Sequence, residues 1–327
     1  MKTSAIIRII IYSLLIVILS GILVFGITSE GLSWNMISFN IGSSSGLLRN
    51  GTQANSMSFE ADDIEEIVVL WVNGEVMVAS SYKNTISYET TNDHTDLPTV
   101  YKLENGRLTI GFTNKTGSFG NTGGKSLTLS LPQNWAGKYL RVDSVSADVN
   151  VKNIANLSKA KFDNVSGEIH LVNFICEEME ISTVSGHMNL YCHFNEAKID
   201  AVSANCTITL LGNTSPEALS FNSVSGNFEL SIPNGCGFDL ELDGLKKELE
   251  TDMKYEKKGE HYICTGVLGT CDLDVDTVSG HVKIGYALFS SSCSHLWAIR
   301  TPLNAPQDEN PQSTIYECQI CGALKIE

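Results

Sequence analysis

Apolar and polar residues alternate over most of this chain, and after residue 140 the alternation recurs with a period near 20. Each recurrence contains a valine, a serine and a very small residue. The six copies are Val145-Ser146-Ala147, Val165-Ser166-Gly167, Val184-Ser185-Gly186, Val202-Ser203-Ala204, Val224-Ser225-Gly226 and Val278-Ser279-Gly280. A period of this length is typical of stacked repeats, in which each unit buries its apolar face against its neighbours.

Alignment of the copies on the valine separates inward from outward positions. The positions five and three residues before the valine, and four and six residues after it, are almost purely apolar. Alternate residues of a strand lie on one face, so each copy is predicted to be a strand, a tight corner and a second strand. The corner holds Gly four times and Ala twice. Because Ala is disfavoured at positive φ, close approach of neighbouring backbones is the expected reason for the small residue.

Stacking of such units at a strand spacing of about 4.8 Å would form one continuous core. The predicted fold class is therefore all-β, a parallel β-helix or β-solenoid-like repeat domain. A β-sandwich remains an alternative, because a period of two does not fix which strands pair. Weaker copies lie upstream, at Val72-Asn73-Gly74, at the Asn105-Gly106 turn and in a strand that ends at Pro132.

The fifth and sixth copies are separated by an insertion, about residues 243–269, that is rich in Lys and Glu. It is expected to protrude from the stack as a hairpin or a loop. The repeat domain as a whole is predicted to span residues 63–286.

The repeats resemble the bacterial putative-adhesin domain, a domain of unknown function. The resemblance covers roughly residues 60–286. Besides the six copies it rests on Val72-Asn73-Gly74-Glu75-Val76, on Ser130-Leu131-Pro132 and on the final stretch Asp276–Ile284. It implies a β-helix-like fold and a role at the cell envelope, and it brings no established catalytic residues.

The N-terminal residues 1–28 are predicted to be a transmembrane anchor. Ile9–Ile27 is a run of 19 uncharged residues, long enough for a hydrocarbon core of about 30 Å. Lys2 and Arg8 precede it, which places the N-terminus in the cytoplasm and the bulk of the chain outside the membrane. A cleaved signal peptide is the alternative. Residues 29–62, rich in Gly, Ser and Asn, are expected to be a linker.

The net charge of −15 argues against nucleic acid or anionic lipid as a partner. The expected ligand is an unidentified polysaccharide or protein, and self-association is possible for such a surface. No nucleotide-binding or nucleophile-elbow motif occurs, so the favoured function is a non-enzymatic binding or adhesion surface.

The alternative function is a calcium-dependent polysaccharide lyase. It would use the column two residues before the valine, which reads Asp143, Asp163, Ser182, Asp200, Asn222 and Asp276. Stacked carboxylates repel one another unless a cation bridges them. A lyase also needs a basic residue, and no Lys or Arg recurs as a column, so calcium is not the expected cofactor.

The nine cysteines are an odd number, so they cannot all pair within one chain. Cys206 stands in an inward column and is expected to be a buried apolar side chain. Cys176 and Cys192 are either free or paired. Three more cysteines bracket the insertion: Cys236, Cys264 and Cys271. A disulfide between two of them is possible, and the sequence does not indicate which two.

The tail, residues 287–327, has a different composition and resembles a small zinc ribbon. Cys318 and Cys321 form a Cys-x-x-Cys-Gly turn, and Cys293 with His295 would complete four zinc ligands. A common ribbon has Cys-x-x-Cys where this chain has Cys-x-His. A disulfide is the alternative, since exported thiols tend to oxidise.

Overall fold

A computed structural model describes residues 51–91, 98–112, 124–135, 137–212, 214–244, 248–287, 297–299, 315–318 and 324–326. In these segments the regular structure is almost entirely β-strand, with one 3-10 turn at Ala61–Asp63. The prediction of an all-β fold is therefore confirmed. None of the described helical structure is long and apolar enough to cross a bilayer, and the predicted anchor lies outside the described residues.

The strands of the first half are β1 (Thr52–Gln53), β2 (Ser56–Glu60), β3 (Glu66–Ser81), β4 (Thr85–Thr91), β5 (Thr99–Glu104), β6 (Arg107–Phe112), β7 (Ser126–Pro132), β8 (Tyr139–Asn164), β9 (Ile169–His193) and β10 (Glu196–Leu210). Those of the second half are β11 (Ala218–Ser225), β12 (Phe228–Ile232), β13 (Gly237–Gly244), β14 (Leu249–Glu250), β15 (Glu256–Lys258), β16 (His261–Cys264), β17 (Thr270–Thr277), β18 (Val282–Tyr286), β19 (Trp297–Ile299), β20 (Ile315–Cys318) and β21 (Leu324–Ile326).

The repeat units stack as parallel coils in the register that the sequence alignment predicts. Ala197 of β10 pairs with Met179 of β9 on one side and with Leu219 of β11 on the other. Beyond the corner, Cys206 pairs with Met188 and Phe228. The predicted upstream copy joins the same ladder, because β3 pairs in parallel with β8. The inward columns are buried and form one continuous core.

The corner glycines lie where neighbouring backbones nearly touch, as the sequence predicts. A Cβ at Gly186 would overlap the carbonyl oxygen of Gly167, and one at Gly167 would lie 2.6 Å from the carbonyl oxygen of Ala147. Gly167 and Gly186 also have positive φ, whereas Ala147 and Ala204 are not among the described residues that do. The corner therefore has two backbone forms, and the positive-φ form disfavours a residue with a Cβ.

The coils are interleaved at the C-terminal end of the stack, which the sequence order does not reveal. The strand β17 pairs with β11 on one side and with β13 on the other, although β13 comes earlier in the chain. The expected protruding insertion is therefore only partly a protrusion. Its first residues continue an outermost coil, completed by β14 pairing with β18, and the β15–β16 hairpin then covers that coil because β16 pairs with β13.

The N-terminal end is arranged in the same way. The strands β6 and β7 form an outer coil on β3, whose other side is occupied by β8. The antiparallel strands β4 and β5 then cover that outer coil. The predicted Asn-Gly turn connects β5 to β6, with φ of 51° at Asn105 and 75° at Gly106. The expected linker overlaps this region, since β1 and β2 pair with β5 and β4.

The six cysteines that belong to the coils are buried free thiols. Cys206 lies in the core, as predicted from its inward column. Burial raises the pKa values of the Cys192 and Cys206 thiols well above the usual range. Deprotonated thiolate is the reactive form of cysteine, so these side chains act as small apolar residues.

Candidate functional site

The outward residues form two surfaces that meet at the corners. The charged wall consists of the residues six, four and two positions before each repeat valine. Its members in the first four complete repeats are Tyr139, Arg141, Asp143, Lys159, Lys161, Asp163, Glu178, Glu180, Ser182, Glu196, Lys198 and Asp200. The polar wall consists of the residues three, five and seven positions after it. Its central members are Glu168, His170, Val172, His187, Asn189, Tyr191, Asn205, Thr207, Thr209, Asn227 and Glu229.

The charged wall contains the aspartate column, and Arg141 compensates the negative charges of its first two aspartates. Arg141 Nε donates to Asp143 Oδ1 at 2.6 Å, and its Nη2 lies 3.3 Å from Asp163 Oδ2. Asp143 is almost completely buried, and its second carboxylate oxygen has no hydrogen-bond partner. Burial raises the pKa of Asp143, against the opposing effect of Arg141. Arginine therefore bridges two carboxylates where sequence reasoning considered calcium.

The ion-pair network continues into the next coils. Lys159 Nζ lies 2.7 Å from Glu180 Oε1 and 3.2 Å from Glu178 Oε2, and Lys161 lies 3.4 Å from Glu180. The hydrogen bond from Lys159 holds the pKa of Glu180 below its usual range. Lys198 pairs with Asp200 at 2.8 Å. Opposite charges thus alternate across the coils and make this part of the wall self-complementary.

The charged wall becomes acidic at its C-terminal end. The parallel pairing of β13 with β17 places three acidic residues opposite three others. The pairs are Asp239 with Asp272, Glu241 with Asp274, and Asp243 with Asp276. All six are partly or fully exposed. This is the largest grouping of acidic side chains that the pairing of the described strands produces.

The polar wall is organised by side-chain hydrogen bonds across the corner. The Oδ1 atom of Asn205 accepts the backbone N–H of Asn227 at 3.0 Å, and Asn227 Oδ1 accepts that of His281 at 3.2 Å. Asp148 does the same for Glu168 at 2.9 Å. The corner interrupts the backbone ladder, and these short side chains satisfy amide groups that the ladder leaves over.

The histidines of the polar wall have defined roles in this hydrogen bonding. Asn205 Nδ2 lies 3.4 Å from His187 Nδ1, and Asn189 Nδ2 lies 3.5 Å from His170 Nδ1. An amide NH₂ only donates, so both Nδ1 atoms accept and the hydrogen of each neutral ring is on Nε2. His170 Nε2 donates to Glu168 at 2.7 Å.

A corner groove of about 360 Å³ lies at the edge of the polar wall. It crosses three consecutive coils, and its lining is mainly polar. The lining residues that carry the argument below are Gly186, His187, Ser203, Asn205, Ser225 and Gly226. Gly186 and Gly226 contribute only backbone to the lining, because the neighbouring coil leaves no room for a Cβ at either position. Ser225 Oγ donates to Ser203 Oγ at 3.3 Å.

The predicted zinc ligands do not fall within the described side chains. Cys293, His295 and Cys321 lie outside the described residues, and Cys318 ends β20, of which only the backbone is described. Among the side chains that are described, no group of three His, Cys, Asp or Glu residues is arranged to hold a metal ion. The tail strands β19, β20 and β21 form an antiparallel sheet.

One chemically distinctive residue was not anticipated from the sequence. Lys125 occupies the small-residue corner position of the outer N-terminal coil, opposite Gly74, and it is 2% exposed. Its Nζ lies 4.8 Å from the centre of the Phe112 ring and 6.0 Å from that of Trp71. Burial lowers the pKa of Lys125 to about 8. A lysine beside a Gly-rich turn gives no sequence signal of burial.

Comparison with known proteins finds a matching family model and similar solved structures. The family model described as Toastrack DUF4097 matches residues 64–287, more than two thirds of the chain. A search of curated proteins finds no match. The chain is similar to a solved putative adhesin from Bacteroides fragilis, at 9% identity and a TM-score of 0.41, covering 70% of this chain and 95% of that one.

Two further solved structures come from Parabacteroides distasonis. One is named as a putative adhesin, at 12% identity and a TM-score of 0.34, covering 72% of this chain and 98% of that one. The other is named as a putative lipid binding protein, at 14% identity and a TM-score of 0.30, covering 70% and 95%.

Proposed function

The chain belongs to the Toastrack DUF4097 family, and from this premise we propose that it is a membrane-anchored, extracytoplasmic surface protein that binds a ligand without catalysing a reaction. The observation that carries the proposal is the polar wall. Because the coils stack in register, hydrogen-bonding side chains recur at the same positions of neighbouring coils. A repeat fold binds its ligands through such exposed columns. The surface is extended and shallow, which suits a polymer or another surface better than a small substrate.

The anchor is supported by the sequence pattern of residues 1–28. Protease added to intact cells should remove the repeat domain, while a cytoplasmic control protein survives. Alkaline carbonate should leave the full-length protein in the membrane fraction. Release of a protein whose N-terminus begins after Ile27 would show instead that the segment is a cleaved signal peptide.

Ligand binding is tested by cosedimentation of the full-length protein, in a sugar-free detergent, with isolated bacterial cell walls. Saturable binding that a large excess of unlabelled protein displaces is the expected result. If the protein stays in the supernatant with walls and with intact cells of several species, the proposed function is wrong.

Zinc remains our proposal for the tail. The pairing of Trp297 with Cys318 supports it, because His295 precedes that pair by two residues and Cys321 follows it by three. Zinc near one equivalent, lost in Cys318→Ser, is the expected result of elemental analysis. A mass two hydrogens lighter, without metal, would establish the disulfide.

The calcium-dependent lyase is retained as a second candidate because β13 and β17 pair acidic residues directly. It predicts chelator-sensitive release of unsaturated sugars from an anionic polysaccharide. The binding function predicts no such release, so one incubation with and without chelator separates the two.

A further inference from the structure

We propose that the corner groove and the adjoining polar wall bind an uncharged polysaccharide. The inference rests on the proposed function and names the chemical class of its ligand. Four features of the described residues support it: preorganised hydrogen-bond donors, an exposed aromatic ring, the charge of the surrounding residues, and a surface that does not suit a peptide.

The groove presents hydrogen-bond donors that the fold holds in place. Asn205 is fixed at both ends of its amide, since Oδ1 accepts from Asn227 N and Nδ2 donates to His187 Nδ1. One N–H of that amide remains for a ligand, as does the Nε2–H of His187. Ser203 accepts from Ser225, so its own hydroxyl hydrogen is available. Donors fixed in this way pay little ordering entropy on binding.

Tyr191 supplies an aromatic surface on the same face. It lies on β9 four residues beyond His187, a distance of roughly 13 Å along the strand, and it is 47% exposed. A tyrosine ring combines an apolar face with a polar hydroxyl, as the C–H face and hydroxyl groups of a sugar require. The distance from groove to ring exceeds one sugar unit, so a chain of sugars is the matching ligand.

The surrounding charge selects an uncharged polymer. Around the groove the lining is Gly, Ala, Ser, Asn and His. On the polar wall, Glu168 lies on the coil before the groove, and Glu229 lies on the third coil of the groove, where it is paired with Lys283 of the next coil at 2.8 Å. With a net charge of −15 on the chain, a polyanion is repelled.

A peptide fits this surface less well. The strand segment that carries Tyr191 pairs with β10 on one side, and on its other side the contact of Asn189 with His170 places it beside the preceding coil, so a peptide cannot add to it as a further strand. The groove is polar, so it does not match the apolar face of an amphipathic helix. A sugar chain uses side-chain donors and an aromatic ring instead of a free strand edge.

The test is native affinity electrophoresis of the full-length protein in a sugar-free detergent. The gels contain neutral glycans (β-glucan, xylan, mannan or dextran) or the anionic alginate and polygalacturonate, with and without calcium. At least one neutral glycan should retard the protein. Tyr191→Ala should weaken that retardation about tenfold. Asn205→Asp should do the same, because it keeps the acceptor for Asn227 but replaces the donor by a negative charge.

Two variants serve as matched controls. Tyr82→Ala removes a tyrosine that is 77% exposed and lies in the turn after β3, and Asn84→Asp makes the same charge change in that turn. Both should bind like the unaltered protein. Circular dichroism melting of every variant identifies any that fails to fold.

The inference is overturned if no neutral glycan retards the protein, if only anionic glycans do, or if the controls lose as much binding as the groove variants. Cosedimentation with cell walls, run on the same variants, distinguishes the two proposals. If wall binding survives in Tyr191→Ala and Asn205→Asp, the protein binds a surface through another site, and only the assignment to this groove is lost.

Discussion

Replacing Gly186 by alanine tests the packing of the corner. A Cβ at this position would overlap the carbonyl oxygen of Gly167 and lie 3.1 Å from its carbonyl carbon. Both belong to the backbone of the neighbouring coil, so relief requires the coils to separate locally. Such overpacking costs about 1–3 kcal/mol. The φ of +128° adds about 1–2 kcal/mol for a residue with a side chain.

The expected loss of stability for Gly186→Ala is therefore about 2–5 kcal/mol. For a domain of this size each kcal/mol lowers the melting temperature by about 2–4 °C. Thermal unfolding followed by circular dichroism should show a melting temperature lower by about 5–15 °C, with the transition still cooperative.

Gly259→Ala is the matched control. Gly259 also has positive φ, +66°, but no atom lies within 4 Å of the position of its Cβ. This variant carries only the backbone strain, so its loss should be about 1 kcal/mol. If the two variants melt at the same temperature, close approach of the coils is not what requires glycine, and the reasoning about the corner is refuted.

Three further predictions concern buried groups. The pKa of Lys125 in the folded state, about 8, lies below that of an unfolded lysine, so the unfolded chain binds more protons between pH 8 and 10. Stability measured by urea unfolding should therefore rise over this interval by about 1–3 kcal/mol, discounted for screening, and not in Lys125→Met. An equal rise in both would contradict this. Arg141→Met should cost about 3 kcal/mol by leaving Asp143 buried without its cation, whereas Asp143→Asn should change stability by under about 1 kcal/mol; equal losses would argue against a buried pair. Iodoacetamide should leave Cys192 and Cys206 unmodified until urea unfolds the protein, as mass spectrometry of the digested protein would show.

The stacking register could be predicted from the sequence because each coil repeats the same inward columns. Aligning the copies on the valine gives the pairing of Ile199 with Ile181 and of Ile208 with Leu190 that the structure contains. The close approach at the corner is predicted by the restriction of one column to Gly and Ala. These features are local in origin, since each coil contacts only its neighbours.

The order of the coils could not be predicted in the same way. The outermost C-terminal coil has no Val-Ser-Gly motif, and its charged composition is typical of an insertion. The sequence nevertheless contains an apolar pattern that indicates this coil. Leu240, Leu242 and Leu249 have the spacing of the inward columns. They pair with Leu273, Val275 and Val282 where β13 runs beside β17 and β14 beside β18.

The candidate site could be predicted only in part. The hydrogen bonds that connect Asn205 to His187 and Asn227 depend on which coils are adjacent. The compensation of Asp143 by Arg141, two residues away on the same strand, likewise depends on the burial of that carboxylate. Side-chain environment is a property of the stack and not of one repeat.

A crystal structure of the protein is the most direct test of the coil arrangement on which both walls depend. We expect Val165, Val184 and Val202 to lie in one column at a parallel strand spacing of about 4.8 Å. We also expect the strand Thr270–Thr277 to lie between Ala218–Ser225 and Gly237–Gly244. Coils stacked strictly in chain order, or these strands divided between two antiparallel sheets, would contradict the account.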